Sequence, residues 1–265
     1  MGGLGDDRID GEDGSDTAVL AVNRADTRVS VINGGIQIIS ADGTDFFTSV
    51  EFFQFDDLLI SADDLINGAG IPGEEIVGTD GDDSLIGTVN DDTLAGGDGN
   101  DNIDSGGGGN NNVSGSDGND TLFGGPGDDS IGGGNGDDTI RGGTGNDALL
   151  GGRDNDLIDG DAGDDTINGG ADDDTIIGGT GNDSLYGGPG DDRVNGEAGD
   201  DLVAGGTGDD QLSGGGGSDT LLGGIGNDSI TDGEDGLTAS SDVLDGGAGD
   251  DTLSAAGGGD LFLGG

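Results

Sequence analysis

Residues 178–213 read Gly178-Gly179-Thr180-Gly181-Asn182-Asp183-Ser184-Leu185-Tyr186, then GGPGDDRVN, GEAGDDLVA and GGTGDDQLS: four consecutive blocks of nine in one frame. The frame extends in both directions. It runs unbroken over residues 106–231 as 14 blocks, and three more occupy residues 78–104, separated from the rest by the single extra residue Ser105. Downstream, residues 232–245 are irregular but close on Asp242-Val243-Leu244. GGAGDDTLS follows from Gly246 and a weaker block, AAGGGDLFL, from Ala255. Near the start, residues 2–10 read GGLGDDRID, and residues 11–19 are a decayed copy. Repetition at a short fixed period marks a solenoid, in which each unit buries its apolar residue only against its neighbours.

Each position in the block carries its own constraint. Position 1 is Gly in all 17 blocks of residues 78–231. Position 4 is Gly in 14 and otherwise Asn90, Asp154 or Asp172, the residue types that best tolerate a left-handed backbone, so a tight turn with positive φ is expected there. Position 8 is Leu, Ile or Val throughout, from Leu85 to Ile230. One apolar residue among polar neighbours predicts a very short strand with one side chain turned inward. A nine-residue unit is then half a coil, and two units make an 18-residue turn whose position 8 side chains meet in a thin core between two sheets.

Position 6 is Asp in 16 of the 17 blocks, Asn111 being the exception. Units two apart stack at the ~4.8 Å spacing of neighbouring strands, so the position 6 carboxylates form two columns of like charge. At that distance two unit charges repel by about 1 kcal/mol in bulk water and about 3.5 kcal/mol at an effective dielectric of 20. Two aliphatic side chains per coil cannot offset both this repulsion and the ordering of the backbone. A cation between successive coils turns the repulsion into ligation. Carboxylate and carbonyl oxygens without nitrogen or sulfur select a hard cation, and a flexible loop cage favours Ca²⁺ over Mg²⁺. The expected ligands are Asp83, Asp92, Asp101, Asp120, Asp129, Asp138, Asp147, Asp156, Asp165, Asp174, Asp183, Asp192, Asp201, Asp210, Asp219 and Asp228. To these are added Asp242, Asp251 and Asp260 near the end of the chain and Asp7 near its start. Position 5, usually Asp or Asn, is expected to face solvent. Asn111, next to the Ser105 insertion, predicts a weak or missing site and a local kink.

Composition removes most other functions. The 265 residues include 67 Gly, 58 Asp and Glu, and 6 Arg with no Lys, for a net charge of −52. Without His or Cys there is no thiol catalysis, no Ser-His-Asp triad and no zinc site of the common kinds. So acidic a surface repels nucleic acid and anionic membranes. The Gly-rich turns lack the Lys of a phosphate loop, and Asp63/Glu74 and Asp64/Glu75, at the spacing of an EF-hand, have Leu65 and Ile66 at ligand positions. The many Asp pairs need no glycosidase reading because the repeat already explains them, so no enzyme is expected. No apolar run reaches the ~20 residues of a membrane span, and the first residues have neither the basic nor the apolar region of a cleaved signal peptide.

The unit G-G-x-G-x-D-x-U-x resembles the RTX (hemolysin-type) calcium-binding nonapeptide. The resemblance covers residues 78–263 almost continuously, and residues 2–10. It implies an all-β fold, a right-handed parallel β-roll. It also implies Ca²⁺ ligation by the position 6 Asp of units n and n+2 together with backbone carbonyls. Residues 20–67, where the period vanishes, hold Phe46, Phe47, Phe52, Phe53 and Phe55. They are similar to the small β-rich units that separate such repeat blocks. There Val29-Ser30-Val31-Ile32 and Ile36-Gln37-Ile38-Ile39 flank Asn33-Gly34-Gly35, which predicts an antiparallel hairpin. Residues 44–55 predict one or two further strands, and the Phe cluster is expected to form this unit's core.

The expected organisation is therefore the end of a repeat block over residues 1–19, a small β-rich unit over 20–67 and a linker over 68–77. The β-roll follows over 78–265, with irregular insertions near 105 and at 232–245. Members of this family leave bacteria by type I secretion, unfolded at low calcium and without a cleaved signal peptide. The expected function is calcium binding by a secreted, extracellular module or fragment of a larger bacterial protein. The alternatives are a calcium-stiffened adhesion spacer and the folding and secretion module of an enzyme whose catalytic domain lies outside this chain. Calcium ions are the expected partners, with a cell-surface or matrix polysaccharide as the further partner considered.

Overall fold

The computed structural model describes residues 8–10, 17–19, 28–32, 35–40, 43–48, 52–54, 59–61, 73, 75–233, 240–256 and 258–264. Asp7, the turn at residues 33–34 and residues 234–239 lie outside them, as do the side chains of the Phe cluster. Every element among the described residues is a strand, and no helix is long and apolar enough to cross a membrane. Two units are defined, Met1–Glu74 and Glu75–Gly265.

In the second unit the strands stack as a parallel β-solenoid of about ten turns, the β-roll expected from the repeat. Alternate strands build two sheets. One has 11 strands and runs from Glu75–Val77 to Leu261–Leu263; the other has 10 and runs from Ser84–Ile86 to Thr252–Ala255. Partners are 18 residues apart, as in Ile167 opposite Leu185 and Ile158 opposite Ile176. Strands are longer than the sequence suggests. Most have six residues, such as Thr139–Thr144, and run from position 7 across the Gly pair to position 3 of the next block. The two irregular places do not break the sheets. Across Ser105 the spacing becomes 19, with Leu94 opposite Val113 and Ile103 opposite Leu122. Across residues 232–245 it becomes 23, with Leu221 opposite Leu244 and Ile230 opposite Leu253. Beside Ser105, where a kink is expected, the strand Asn102–Asp104 has three residues and stays paired on both sides.

Alternation along each strand aims position 8 and the following position 1 Gly inward. The position 8 side chains from Leu94 to Ile230, with Leu244, form one buried cluster, and Ile76, Leu85, Leu253 and Ala255 pack against it near the two ends. The core is a double file of single aliphatic side chains. Ile and Val suit it, because branched side chains fill a pleated surface with little rotamer freedom to lose.

In the first unit, Arg28–Ile32 and Gly35–Ser40 form the expected hairpin, with Val31 opposite Ile36 and Val29 opposite Ile38. Gly35 belongs to the strand, not the turn. Gly43–Thr48 continues this sheet antiparallel, and Arg8–Asp10 joins its edge in parallel. A second sheet pairs Thr17–Val19 in parallel with Phe52–Gln54, which in turn pairs antiparallel with Leu59–Ser61.

Leu149 and Leu150 are adjacent and chemically identical but are 3% and 48% exposed. Leu149→Ala should destabilise the calcium-loaded roll by about 2–5 kcal/mol, whereas Leu150→Ala should stay within about 0.5 kcal/mol. Denaturant midpoints in saturating calcium measure the difference, and equal shifts would contradict the packing described.

Candidate metal centre

Positions 4–6 join one strand to the next, and the path of the chain through positions 1–6 is set by two left-handed residues. Position 4 adopts positive φ, as expected: Gly145 (131°), Gly163 (139°), and without glycine Asp154 (71°) and Asp172 (79°). The first loops of the roll, with Gly81 and Asn90, do not. Position 2 is also left-handed, which the sequence reading did not anticipate, and includes Ser116 (97°), Asp161 (67°) and Glu197 (71°).

Position 1 is glycine for a different reason. A β-carbon on Gly124 would lie 2.6 Å from Asp129 Oδ2 and 2.6 Å from the carbonyl oxygen of Gly142. On Gly178 it would lie 2.5 Å from Asp183 Oδ2 and 2.8 Å from the Gly196 carbonyl. The position 6 carboxylate therefore leans over the glycine of its own loop, and the next coil's glycine presents a carbonyl oxygen to the same spot.

The position 6 side chains are buried from Asp92 to Asp228, and so is Asp242. Their Oδ1 atoms form a regular ladder. Asp165 Oδ1 accepts the backbone N–H of Asp147 (2.7 Å), and Asp183 Oδ1 accepts that of Asp165 (2.8 Å). One column runs from Asp83 through Asp101, Asp120, Asp138, Asp156, Asp174, Asp192 and Asp210 to Asp228 and Asp251. The other runs from Asp92 through Asn111, Asp129, Asp147, Asp165, Asp183, Asp201 and Asp219 to Asp242 and Asp260. Units n and n+2, the pair expected to share an ion, are thus joined by backbone-to-carboxylate hydrogen bonds.

The second oxygen is left over. In 14 of these residues, Asp101, Asp120 and Asp129 through to Asp228, Oδ2 is buried and has no hydrogen-bond partner. A buried carboxylate oxygen without a donor is costly. Repeated from Asp101 to Asp228 except at Asn111, and placed beside a carbonyl of the next coil, it has the position of one member of a ligand set. The donors are all hard oxygens on a loop of adjustable shape, which fits Ca²⁺.

Burial also raises the position 6 carboxyls from Asp120 to Asp228 above their ordinary value near 3.8. Removal from water is the largest cause for Asp156, Asp165 and Asp201, pushed up to about 7. It is offset in part by the N–H of the preceding coil and reinforced by neighbouring carboxylates. Asp138 and Asp147 are pushed up to about 6 for the same reasons.

The ends of the columns differ. In the first two loops position 2 is Thr. The Thr79 N–H and hydroxyl donate to Asp83 Oδ2 (2.6 and 2.9 Å), and those of Thr88 to Asp92 Oδ2 (2.5 and 2.9 Å). Asp242 Oδ2 accepts from Ser240 Oγ (3.1 Å), and Asp251 and Asp260 are only half-buried.

Asn111 keeps the ladder, its Oδ1 accepting the N–H of Asp92 (2.8 Å). Its amide nitrogen donates within its own loop, 3.1 Å from Ser105 Oγ and 3.2 and 3.3 Å from the carbonyls of Gly109 and Gly108. The amide nitrogen thus supplies donors at a place where the position 6 aspartates have a partnerless Oδ2.

Position 5 is exposed, as expected, but forms a second ladder that the sequence reading missed. Asp164 Oδ1 accepts the N–H of Asn182 (2.8 Å), and Asn182 Oδ1 that of Asp200 (2.8 Å). Asp232 was also missed: it lies outside the frame yet is buried beside Asp219 and Asp242.

The RTX calcium-binding nonapeptide repeat (4 copies) matches the chain over residues 1–18, 77–108, 105–140, 132–167, 141–176, 168–203, 198–230 and 238–265. These stretches cover well over half of the sequence, and the chain belongs to this family of calcium-binding repeats. A comparison with curated proteins gave no match. The second unit is a β-roll module that binds calcium.

Two outcomes follow. A carboxyl raised in the folded state stabilises the metal-free roll fully below the unfolded value near 3.8, and that contribution is lost as pH rises through about 7. Calcium must displace those protons, so lowering the pH from about 8 to about 6 should raise the calcium midpoint and make binding release protons. Calorimetry in buffers of different ionisation enthalpy measures both, and a pH-independent midpoint would contradict the buried ladder. Asn111→Asp replaces the donating amide with a second carboxylate oxygen. It should add one calcium ion to the stoichiometry and weaken the roll in chelator; unchanged values in both would overturn the role given to the amide.

Proposed function

We propose that the roll is a multi-site module folded by calcium, with the position 6 Asp columns as its ligands and one ion between successive coils on each side. The observation that carries this is the row of buried, partnerless Oδ2 atoms: each needs a positive partner, and no arginine among the described residues supplies it. Arg141, for example, pairs at the surface with Asp159 and Asp161, both at 3.1 Å. Without ions the buried like charges oppose the fold; with them adjacent coils are cross-linked. Free calcium is scarce inside cells and abundant outside, so such a chain stays extended until exported. We read it as an extracellular module of a larger secreted bacterial protein, with residues 20–67 as a β-rich spacer between repeat blocks. The paired Asp residues are ion ligands on this reading and carry no catalysis.

Chelator should leave the roll largely unfolded, and millimolar calcium should produce β structure and a sharp fall in hydrodynamic radius, with magnesium much less effective. Asp165→Ala removes a ligand from the sites shared with Asp147 and with Asp183 and should raise the calcium midpoint several-fold. Asp164→Ala removes one exposed ladder acceptor and should act weakly. Circular dichroism and light scattering read the result. A chelated sample with unchanged spectrum and radius, or equal effects of the two substitutions, would sink this reading.

A further inference from the structure

The repeat fails at Asp232. By count it falls at position 1, where every block of residues 78–231 has Gly, and it ends the strand Ser229–Asp232. Elsewhere a side chain at position 1 would collide with the Asp five residues later. Here residue 237 is Leu, and ten residues separate Asp232 from Asp242, which takes the position 6 place in the column. The longer loop frees position 1 to carry a side chain, and that side chain points inward: Asp232 is 2% exposed.

Its carboxylate meets two others. One oxygen each of Asp219, Asp232 and Asp242 lies within 4.8 Å of the others, and all three side chains are buried. Asp232 Oδ1 and Asp219 Oδ2 are both buried without a hydrogen-bond partner. A β-carbon on Gly214 would lie 2.8 Å from Asp232 Oδ1, the spot that the next coil's glycine carbonyl occupies in regular loops. At the break, a carboxylate oxygen has taken over from a neutral carbonyl.

We propose that Asp219, Asp232 and Asp242 form a three-carboxylate site for a hard divalent cation, built by the repeat break and unlike the sites between regular coils. The ion it takes is Ca²⁺. An extra formal charge in an oxygen cage of similar size tightens calcium binding, so this site fills at lower free calcium than the repeats. Asp232 ends a strand of one sheet, and Asp219 and Asp242 immediately precede Thr220–Ile225 and Val243–Ala248 of the other. The ion therefore pins both ends of the long loop and holds the last coils in register before the rest of the array is loaded.

The proposal rests on the calcium reading above, and its test separates the two. Calcium titration of the full chain, followed by calorimetry after removal of weakly held ions with a mild chelator, should show one ion held more tightly than the others. Asp232→Asn and Asp232→Gly, the second restoring the repeat residue, should each abolish that tight class while the remaining ions still bind and fold the roll. Asp174→Asn, in the middle of the array, should leave the tight class intact. Circular dichroism in calcium checks that each variant folds. A tight class unchanged in both Asp232 variants would overturn the proposal and leave the repeat reading standing. So would infrared evidence that Asp232 and Asp242 share a proton at neutral pH in saturating calcium. No calcium binding by the unsubstituted chain would overturn both.

Discussion

One oxygen atom per coil on each side governs this fold. The position 6 carboxylate is drawn inward because its Oδ1 closes a ladder onto the preceding coil, and the same movement buries Oδ2 where no protein group can satisfy it. The rest of the block adapts to that arrangement. Position 1 has no β-carbon because the carboxylate occupies the space it would need. Positions 2 and 4 turn left-handed so that six residues can wrap around the oxygen cluster. Gly and Asp at these positions are thus one device: the first is the seat of the second. Asp232 is consistent with this: its side chain turns inward at that position where the residue five on is Leu237, not Asp.

The two Asp-rich positions look alike in sequence but obey different physics. Position 6 reaches back to the N–H of the coil before, and position 5 reaches forward to that of the coil after. The position 5 column is exposed and diluted with neutral residues. One of its files alternates strictly, Asp91, Asn110, Asp128, Asn146, Asp164, Asn182 and Asp200, so that like charges are not stacked directly. Asn serves as well as Asp there because only a carbonyl-type acceptor is needed. Position 6 keeps Asp at every coil but one, although its charges are buried and would benefit more from dilution. A column that retains full charge where charge is most costly is what the proposed ion ligation requires.

The solenoid, its 18-residue turn and its inward position 8 were legible because each rests on a periodic property of single residues. Leu94 to Ile230 mark the core by hydrophobicity alone, and the Asp columns follow from counting. What stayed hidden depends on neighbours in the next coil. That Asn111 turns its amide into its own loop requires knowing that Ser105 and the carbonyls of Gly108 and Gly109 face it. The position 5 ladder was equally invisible, and the left-handed position 2 was obscured because Ser116 and Glu197 carry no left-handed signature. Asp232 fell in a stretch that read as irregular, and only the 23-residue register across it shows that the sheets continue and place it opposite Ala255.

The thin core sets the character of the whole array. A double file of single aliphatic side chains gives each coil little stability of its own, and each coil touches only those before and after it. In such a one-dimensional stack, stability is a sum of weak unit terms and nearest-neighbour terms. On the proposed reading, ions shared between coils act on the neighbour term. Raising that term does more than add stability: it makes the first ordered coils costly and each later one easy, so folding sharpens with calcium instead of merely shifting. A site that fills ahead of the rest, at the one place where the repeat is interrupted, then matters beyond its own contacts. It supplies an ordered pair of coils at the weakest joint of the stack, from which the neighbour terms can propagate.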